Sequence, residues 1–130
     1  MKIFALAALT LLYPHAWHVT TQAQTAVTDP VQRFALYSGP PLSRRGSPRA
    51  NQVVAILMEQ EPPAATPFRP RPAHFRLPQL GTMENFVGDR WGEIVFRAHR
   101  RDFYLFVWVG RSATGHVPAL LAALDSLHVS

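Results

Sequence analysis

Cysteine is absent from this 130-residue chain, so disulfides, thiolate metal sites and thiol catalysis are excluded. The sequence also lacks a Gly-x-Ser-x-Gly nucleophile motif and a glycine-rich phosphate loop with its lysine. Its longest apolar run, residues 3–13, is too short for a membrane-spanning helix, which needs about 20 residues. We therefore expect no integral membrane span, no cofactor and no enzymatic activity.

Charged residues are scarce, at 16% of the chain, but their balance is strongly basic. Twelve arginines and a single lysine outnumber eight acidic residues, which gives a net charge of +5. Arginine binds phosphates and carboxylates through two parallel hydrogen bonds, which lysine does not do. Because the arginines are scattered rather than massed, a general compositional bias explains them better than selection for an anionic partner.

The apolar fraction of 48% and the aromatic fraction of 11% predict a packed core rather than a disordered chain. A chain of this length fits one domain. Twelve prolines argue against a helical bundle, because each removes a backbone hydrogen-bond donor. Loops rich in proline and arginine are expected at residues 39–51 and 62–78.

The N-terminal segment allows two incompatible interpretations. Lys2 and the apolar run after it match the first two regions of an export signal, with Thr21-Gln22-Ala23 as a passable cleavage site. Alternatively, residues 11–20 are rich in β-forming side chains and belong to the fold, with Tyr13 and Trp17 in the core.

The weakness of the cleavage site favours the second interpretation. Residues 1–9 are then the remnant of a leader or a partial signal-like segment, either a short helix or part of a longer leader. Residues 10–130 form a single α+β domain. An intact Tyr13–Val19 segment in the native protein would support the strand assignment, and a mature chain starting at Gln24 would contradict it.

Four segments have the pattern of β-strands. Residues 31–37 and 52–58 have the composition and length of strands, and the second is a continuous apolar run typical of the middle of a sheet. Residues 93–99 and 103–109 flank a polar turn at Arg100-Arg101-Asp102, which predicts a β-hairpin.

Residues 117–128 predict a helix, since Pro118 suits its first turn. Four leucines then fall on one face of this helix: Leu120, Leu121, Leu124 and Leu127. That apolar stripe needs a partner surface, and the hairpin provides one. The predicted fold is therefore α+β, an antiparallel sheet with the C-terminal helix packed on one face.

The motif Tyr13-Pro14-x-x-Trp17 resembles the opening of PsbP-like domains of small exported or membrane-associated bacterial proteins. The late hairpin, Val109-Gly110 and a closing helix that ends at Leu124-Asp125-Ser126-Leu127 resemble the end of the same domains. This resemblance covers residues from about 10 to 129, although the chain lacks a clear helix in its first half. It implies an accessory or binding role, outside the cytoplasm or at the membrane, without catalytic residues; a cytoplasmic location is the alternative.

Six residues are candidate contacts for a ligand or an anion, namely Trp17, Arg44, Arg45, Arg97, Arg100 and Arg101. Arg44, Arg45 and Arg49 would form a contact patch for an anionic surface, such as a lipid or a polymer, with a strength that falls with salt. The expected partner is such a surface or another protein. A lone Trp near a strand end is more often a core residue, so Trp17 also has a purely structural interpretation.

Nucleic-acid binding is the alternative function. Arg97, Arg100 and Arg101 flank a strand whose alternating aromatic residues, if exposed, would stack on bases. The competing and favoured interpretation buries one face of this strand under the helix and the other under the proline-rich segment.

The histidines give no strong signal. His15 and His18 point to opposite faces of an extended segment, and the others have no carboxylate at a ligand spacing, so no metal site is predicted. A small hydrolase would require a pocket that holds His99 or His116 near a carboxylate.

Overall fold

The computed structural model describes residues 1–21, 30–41, 48–77, 81–83 and 86–130. These residues form two antiparallel sheets and one α-helix, which confirms the predicted α+β class. The first sheet has the strand order β1-β2-β9, with strands Lys2–Leu6 (β1), Leu9–Tyr13 (β2) and His128–Val129 (β9). The second sheet has the order β3-β4-β5-β8-β7-β6, with strands His18–Thr20 (β3), Val31–Tyr37 (β4), Val53–Gln60 (β5), Gly81–Met83 (β6), Phe86–Ala98 (β7) and Arg101–Val109 (β8). A short 3-10 turn, Thr114–His116, leads into the helix Val117–Asp125 (α1).

The core lies between the inner face of the six-stranded sheet on one side and the three-stranded sheet with α1 on the other. Alternate residues of the central strands, such as Leu57, Leu105 and Val107, are completely buried there. Leu120 and Leu124 of α1 pack into the same core. Each fully buried Leu or Val contributes about 1.5–3 kcal/mol, so this layer supplies most of the stability of the domain.

The helix ends earlier than residue 128, because the chain turns back to pair with the first sheet. Ser126 caps the helix with its backbone N–H bonded to the carbonyl oxygens of the last turn. His128 and Val129 then pair with Thr10 and Leu9 of β2. Among the described residues, the structure contains no helix that could span a lipid bilayer.

The motif from Tyr13 to Trp17 connects the two sheets. Tyr13 ends β2, the Trp17 N–H donates to the Pro14 carbonyl oxygen at 3.0 Å, and β3 begins at the next residue. Tyr13 and Trp17 are both buried, as the strand interpretation of this segment predicts.

The segment interpreted as the remnant of a leader is a strand, and the short helix expected there is wrong. Lys2–Leu6 pairs with β2 in a register that runs from Lys2↔Tyr13 to Leu6↔Leu9. The turn consists of Ala7 and Ala8, both with left-handed backbone conformation (φ 52° and 60°). Such two-residue turns match the twist of an antiparallel pair, so the apolar residues on each side form a hairpin rather than a helix.

The predicted hairpin of β7 and β8 is present, but its turn is not at residues 100–102. His99 and Arg100 form a two-residue turn with φ of 51° and 62°, and Arg101 and Asp102 already belong to β8. β8 can begin as early as Arg101 because both of these charged side chains form ion pairs within the domain, Arg101 with Glu59 and Asp102 with Arg97.

Residues 61–77, which we call the proline-rich strap, run along the free edge of β7 and onto the helix. Arg97 donates its N–H to the Arg69 carbonyl at 2.7 Å and accepts from the Arg71 N–H at 2.8 Å. Phe68 packs edge-on against Tyr104, and Phe75 packs against Phe96 in the core. The two phenylalanines thus fix the strap to the domain.

Candidate ligand-binding site

A cavity of about 460 Å³ opens at the end of the six-stranded sheet where β7 begins and β8 ends. We call it the basic cavity. The described residues that line it are Leu77, Gly88, Arg90, Val109, Gly110, Arg111, Thr114 and Val117. Its walls therefore combine two cations and one hydroxyl with an apolar surface, the mixture typical of small-molecule sites.

The cavity wall is held by the close approach of two loops. The Gly110 N–H donates to the Gln52 carbonyl at 2.9 Å, and the Ser112 N–H donates to the Ala50 carbonyl at 2.8 Å. A Cβ at position 110 would overlap the Ala50 carbonyl oxygen, so glycine is required for this contact. The loop after β8 is thereby fixed to the loop before β5.

Asp89 positions Arg111 at the cavity. Its carboxylate is buried, and its Oδ1 accepts the Arg111 backbone N–H at 2.8 Å. The Arg111 guanidinium is more loosely paired, with Nη1 at 3.7 Å from the same oxygen and more than half of the side chain exposed. Gly88, with φ of 86°, lets the two segments meet, because a Cβ there would lie 2.9 Å from Arg111 Cβ. The acid thus anchors the backbone while the guanidinium stays available.

Arg90 supplies the second cation. Its side chain is exposed, and it forms no ion pair with any residue in the described part of the chain. The backbone N–H groups of the neighbouring loop are largely used, since Ala113 donates to Gly110 and His116 donates to Ala113. An anion in the basic cavity would therefore be bound by the two guanidinium groups and the Thr114 hydroxyl rather than by the backbone at the start of α1.

A smaller cavity of about 90 Å³ lies nearby. Its described lining residues are Ser38, Gly39, Pro40, Arg49, Asn51, Gln52 and His116. No carboxylate is among them, and the His116 ring packs against Trp17 at 6.1 Å between ring centroids. His99 is exposed in the β7–β8 turn. The acid–histidine arrangement that a small hydrolase would need is not formed by these two histidines, and the described residues contain no cluster of three or more potential metal ligands among His, Asp and Glu.

The six candidate contacts from the sequence are not brought together. Trp17 is 4% exposed and lies in the core. Arg44 and Arg45 fall outside the described residues. The other three surround the β7–β8 turn, yet they point in different directions because alternate residues of a strand face opposite sides of the sheet.

Arg97 and Arg101 are engaged in ion pairs within the domain. Arg97 donates from Nε and Nη2 to the two oxygens of the completely buried Asp102, at 2.6 and 2.8 Å. The hydrogen bonds from Arg97 hold the pKa of the Asp102 carboxyl below its ordinary value despite burial. Arg101 donates two hydrogen bonds to Glu59 and a third to the Ala7 carbonyl. Of the three arginines, only Arg100 is exposed with no ion pair among the described residues.

The strand aromatics are also packed. Tyr104 lies under Phe68 of the strap, and Phe106 stacks on Trp91 with 5.4 Å between ring centroids. Trp108 is 6% exposed. Each of these rings is therefore packed within the domain, with Tyr104 and Phe106 half-buried and Trp108 buried.

Arg90, Arg111 and Thr114 were not predicted as site residues. Residues 110–115 carry two glycines but no lysine of the phosphate-loop type, so the sequence motif alone is not diagnostic. The arginine that follows Gly110 is the one signal that points to an anion. Comparison with protein-family models, curated proteins and solved structures finds no match to this chain, so the resemblance to PsbP-like domains stays a prediction.

Proposed function

We propose that this protein is a non-enzymatic binding domain that recognises an anionic group in the basic cavity. The observation that carries the proposal is the pair of arginines, Arg90 and Arg111, on the wall of a cavity that also has apolar side chains. Arg90 has no acidic partner among the described residues, and the one partner of Arg111 is 3.7 Å from its guanidinium. A carboxylate or phosphate would complete this arrangement through charge-assisted hydrogen bonds.

The apolar part of the cavity narrows the class of ligand. Leu77, Val109 and Val117 line the same space as the two arginines. A ligand with an acidic head and an apolar body would contact both surfaces, whereas a free inorganic ion would use the arginines alone. We therefore expect the ligand to be an amphipathic acid or an acidic group on a partner.

The proposal places this activity at or outside the cytoplasmic membrane. Its support is the resemblance of the Tyr13-Pro14-x-x-Trp17 motif to PsbP-like domains, because the apolar run after Lys2 folds as β1 and β2. An accessory role, in which the domain presents a bound acid or docks on an acidic partner, follows from the same resemblance.

Titration followed by backbone amide NMR tests the proposal, with octanoate and octyl phosphate as probes and sodium chloride at matched ionic strength as the salt control. We expect saturable shifts of amides around residues 88–90 and 110–117. Arg90→Gln and Arg111→Gln should each weaken binding about tenfold, since one charge-assisted hydrogen bond is worth at least about 1.4 kcal/mol.

Arg100→Gln is the matched control, because this arginine is also exposed but lies at the opposite end of the hairpin. It should leave the affinity for both probes unchanged. Shifts that do not saturate, or an equal loss from all three substitutions, would show that the anion senses only the net charge. Tight binding of a short oligonucleotide that Arg100→Gln abolishes would instead favour the nucleic-acid alternative.

A further inference from the structure

The outer edge of β1 exposes apolar side chains beside unused backbone groups. β1 is the terminal strand of its sheet, and no strand among the described residues lies beyond it. The most exposed large apolar side chains include Met1, Ile3 and Leu6, which are 64%, 70% and 50% exposed. Exposed edge strands are usually protected by charge, proline or a bulge. β1 carries none of these after Lys2.

The hairpin register determines which backbone groups point outward. A two-residue turn makes Leu6↔Leu9 a hydrogen-bonded pair, and the pairs then alternate along the strands. Ile3 and Ala5 consequently occupy non-hydrogen-bonded pairs. Their N–H and C=O groups point away from β2, toward the outer edge of β1.

The opposite side of the hairpin agrees with this alternation. Leu12 is the cross-strand neighbour of Ile3. Its N–H donates to the Ser126 hydroxyl at 2.9 Å, and its carbonyl oxygen lies 3.2 Å from the same hydroxyl oxygen, which also contacts the Ala123 carbonyl. Leu12 therefore directs its backbone groups away from β1, as a member of a non-hydrogen-bonded pair must.

We propose that β1 pairs antiparallel with β1 of a second copy of this chain. In the register centred on Phe4, Ile3 faces Ala5 of the second copy, and the symmetry of the dimer repeats the pair. Each pair exchanges two N–H···O=C bonds, so four hydrogen bonds form from groups that already point outward. The two three-stranded sheets become one continuous six-stranded sheet.

The side chains fit this partner in particular. On the outer face each large Ile3 lies beside a small Ala5 of the other copy. The charged Lys2 lies opposite Leu6 rather than opposite another cation. The same patch is used by both copies, so the contact closes as a twofold dimer and does not extend into a fibre. No described residue of β1 lines either cavity, so the dimer is independent of the proposed anion site.

Analytical ultracentrifugation of the full chain, from low micromolar to submillimolar concentration, is the first test. The average mass should rise reversibly from the chain mass of 14.6 kDa toward twice that value. Ala5→Pro removes an outward N–H that the hairpin does not use, so it should keep the chain monomeric without unfolding it. Ala5→Ser retains the N–H and should dimerise like the parent chain.

The absence of cysteine allows a second test that does not depend on Ala5→Pro folding. Chains carrying Ile3→Cys and Ala5→Cys are oxidised separately and as a mixture. Hydrogen-bonded antiparallel pairs have Cα atoms about 5.5 Å apart, within the range that a disulfide spans. The mixture should give several-fold more crosslinked dimer than either chain alone.

Three results would overturn the proposal. One is a parent chain that stays monomeric over the whole concentration range. Another is dimerisation of Ala5→Pro that equals that of Ala5→Ser while both remain folded. The third is crosslinking of the mixture that does not exceed crosslinking of the single variants, since this would exclude the register.

Discussion

The ion pairs of Glu59 should stabilise this domain far more than those of Glu61, two residues away. Glu59 ends in a buried carboxylate that accepts three charge-assisted hydrogen bonds. One comes from Arg33 Nε at 2.8 Å, and two come from Arg101 at 2.7 and 2.9 Å. Glu61 accepts a single bond, from Arg33 Nη2 at 2.9 Å. The side chains are 7% and 58% exposed, so the two acids share a partner but differ in burial.

The expected loss of unfolding free energy follows from this difference in burial between the two acids. Removing one partner of a buried ion pair costs about 3–5 kcal/mol, because the remaining charge is left without compensation. Arg33 and Arg101 are 22% and 18% exposed, so water can partly solvate them after the change. We therefore expect Glu59→Gln to lower the free energy of unfolding by about 3 kcal/mol. Glu61→Gln should change it by less than about 0.5 kcal/mol, as for other exposed pairs.

Urea unfolding followed by tryptophan fluorescence measures both variants, since Trp17 and Trp108 are buried in the folded state. Thermal unfolding should show a melting temperature roughly 10 °C lower for Glu59→Gln, given a shift of about 3–5 °C per kcal/mol for a domain of this size. Equal effects of the two substitutions would contradict this prediction, because burial would then not determine the loss of stability. An unfolded Glu59→Gln chain beside a stable Glu61→Gln chain would agree with it.

The same carboxylate should make stability depend on pH. Burial alone would raise the pKa of Glu59, but the hydrogen bonds from Arg101 and Arg33 outweigh it and hold this pKa below its ordinary value. The stabilisation is therefore complete above the unfolded-state pKa of about 4.3 and is lost as pH falls through the lower folded-state pKa. Glu59→Gln should therefore reduce the acid sensitivity of unfolding, measured as the loss of unfolding free energy between neutral and acidic pH.

Two further predictions concern the strap and the β7–β8 turn. Arg71 Nη2 donates to three carbonyls at the C-terminal end of α1, so Arg71→Ala should lower the unfolding free energy by about 2 kcal/mol. Arg76 is exposed in the same strap, so Arg76→Ala should change the unfolding free energy very little. Equal losses for the two variants in urea unfolding would contradict a capping role for Arg71. The double variant His99→Asn, Arg100→Gly should raise the unfolding free energy by about 1–2 kcal/mol, because asparagine and glycine adopt the left-handed conformation of this turn with less strain than histidine and arginine. An unchanged or lower unfolding free energy would contradict the turn at these two residues.

The local sequence pattern was sufficient to predict the elements that are defined by residues close together in the sequence. The hairpin of β7 and β8 has alternating residues on both strands, and the stripe of leucines on α1 has helical spacing. Both elements are present, and their apolar faces meet in one core. The β1–β2 hairpin was missed because its turn consists of Ala7 and Ala8, without the glycine or asparagine that usually marks such a turn in a sequence. An apolar run of that length matches a signal sequence equally well.

The basic cavity could not be predicted from local pattern. Arg90 and Arg111 are separated by most of the hairpin, and only the pairing of Arg90 with Val109 brings them to one end of the sheet. Asp89 is an isolated acid in the sequence, so nothing marks it as the buried anchor of Arg111. A site made by strand register and by a contact between loops leaves no spacing signature along the chain.

The position of one turn explains why Arg97 was interpreted as a ligand contact. With a turn at residues 100–102, Arg97 would lie opposite Leu105, without a charged neighbour. With the turn at His99 and Arg100, it lies directly opposite Asp102 and forms a bidentate ion pair. Moving the turn shifts the register of the two strands by an odd number of residues. It therefore also changes which side chains of the two strands lie on the same face of the sheet. Phe96 then shares the inner face with Phe103, where the two rings stack at 5.3 Å. Correct placement of a two-residue turn thus decides whether the arginine is a free cation or part of the fold, and the sequence His-Arg carries no signal for that turn.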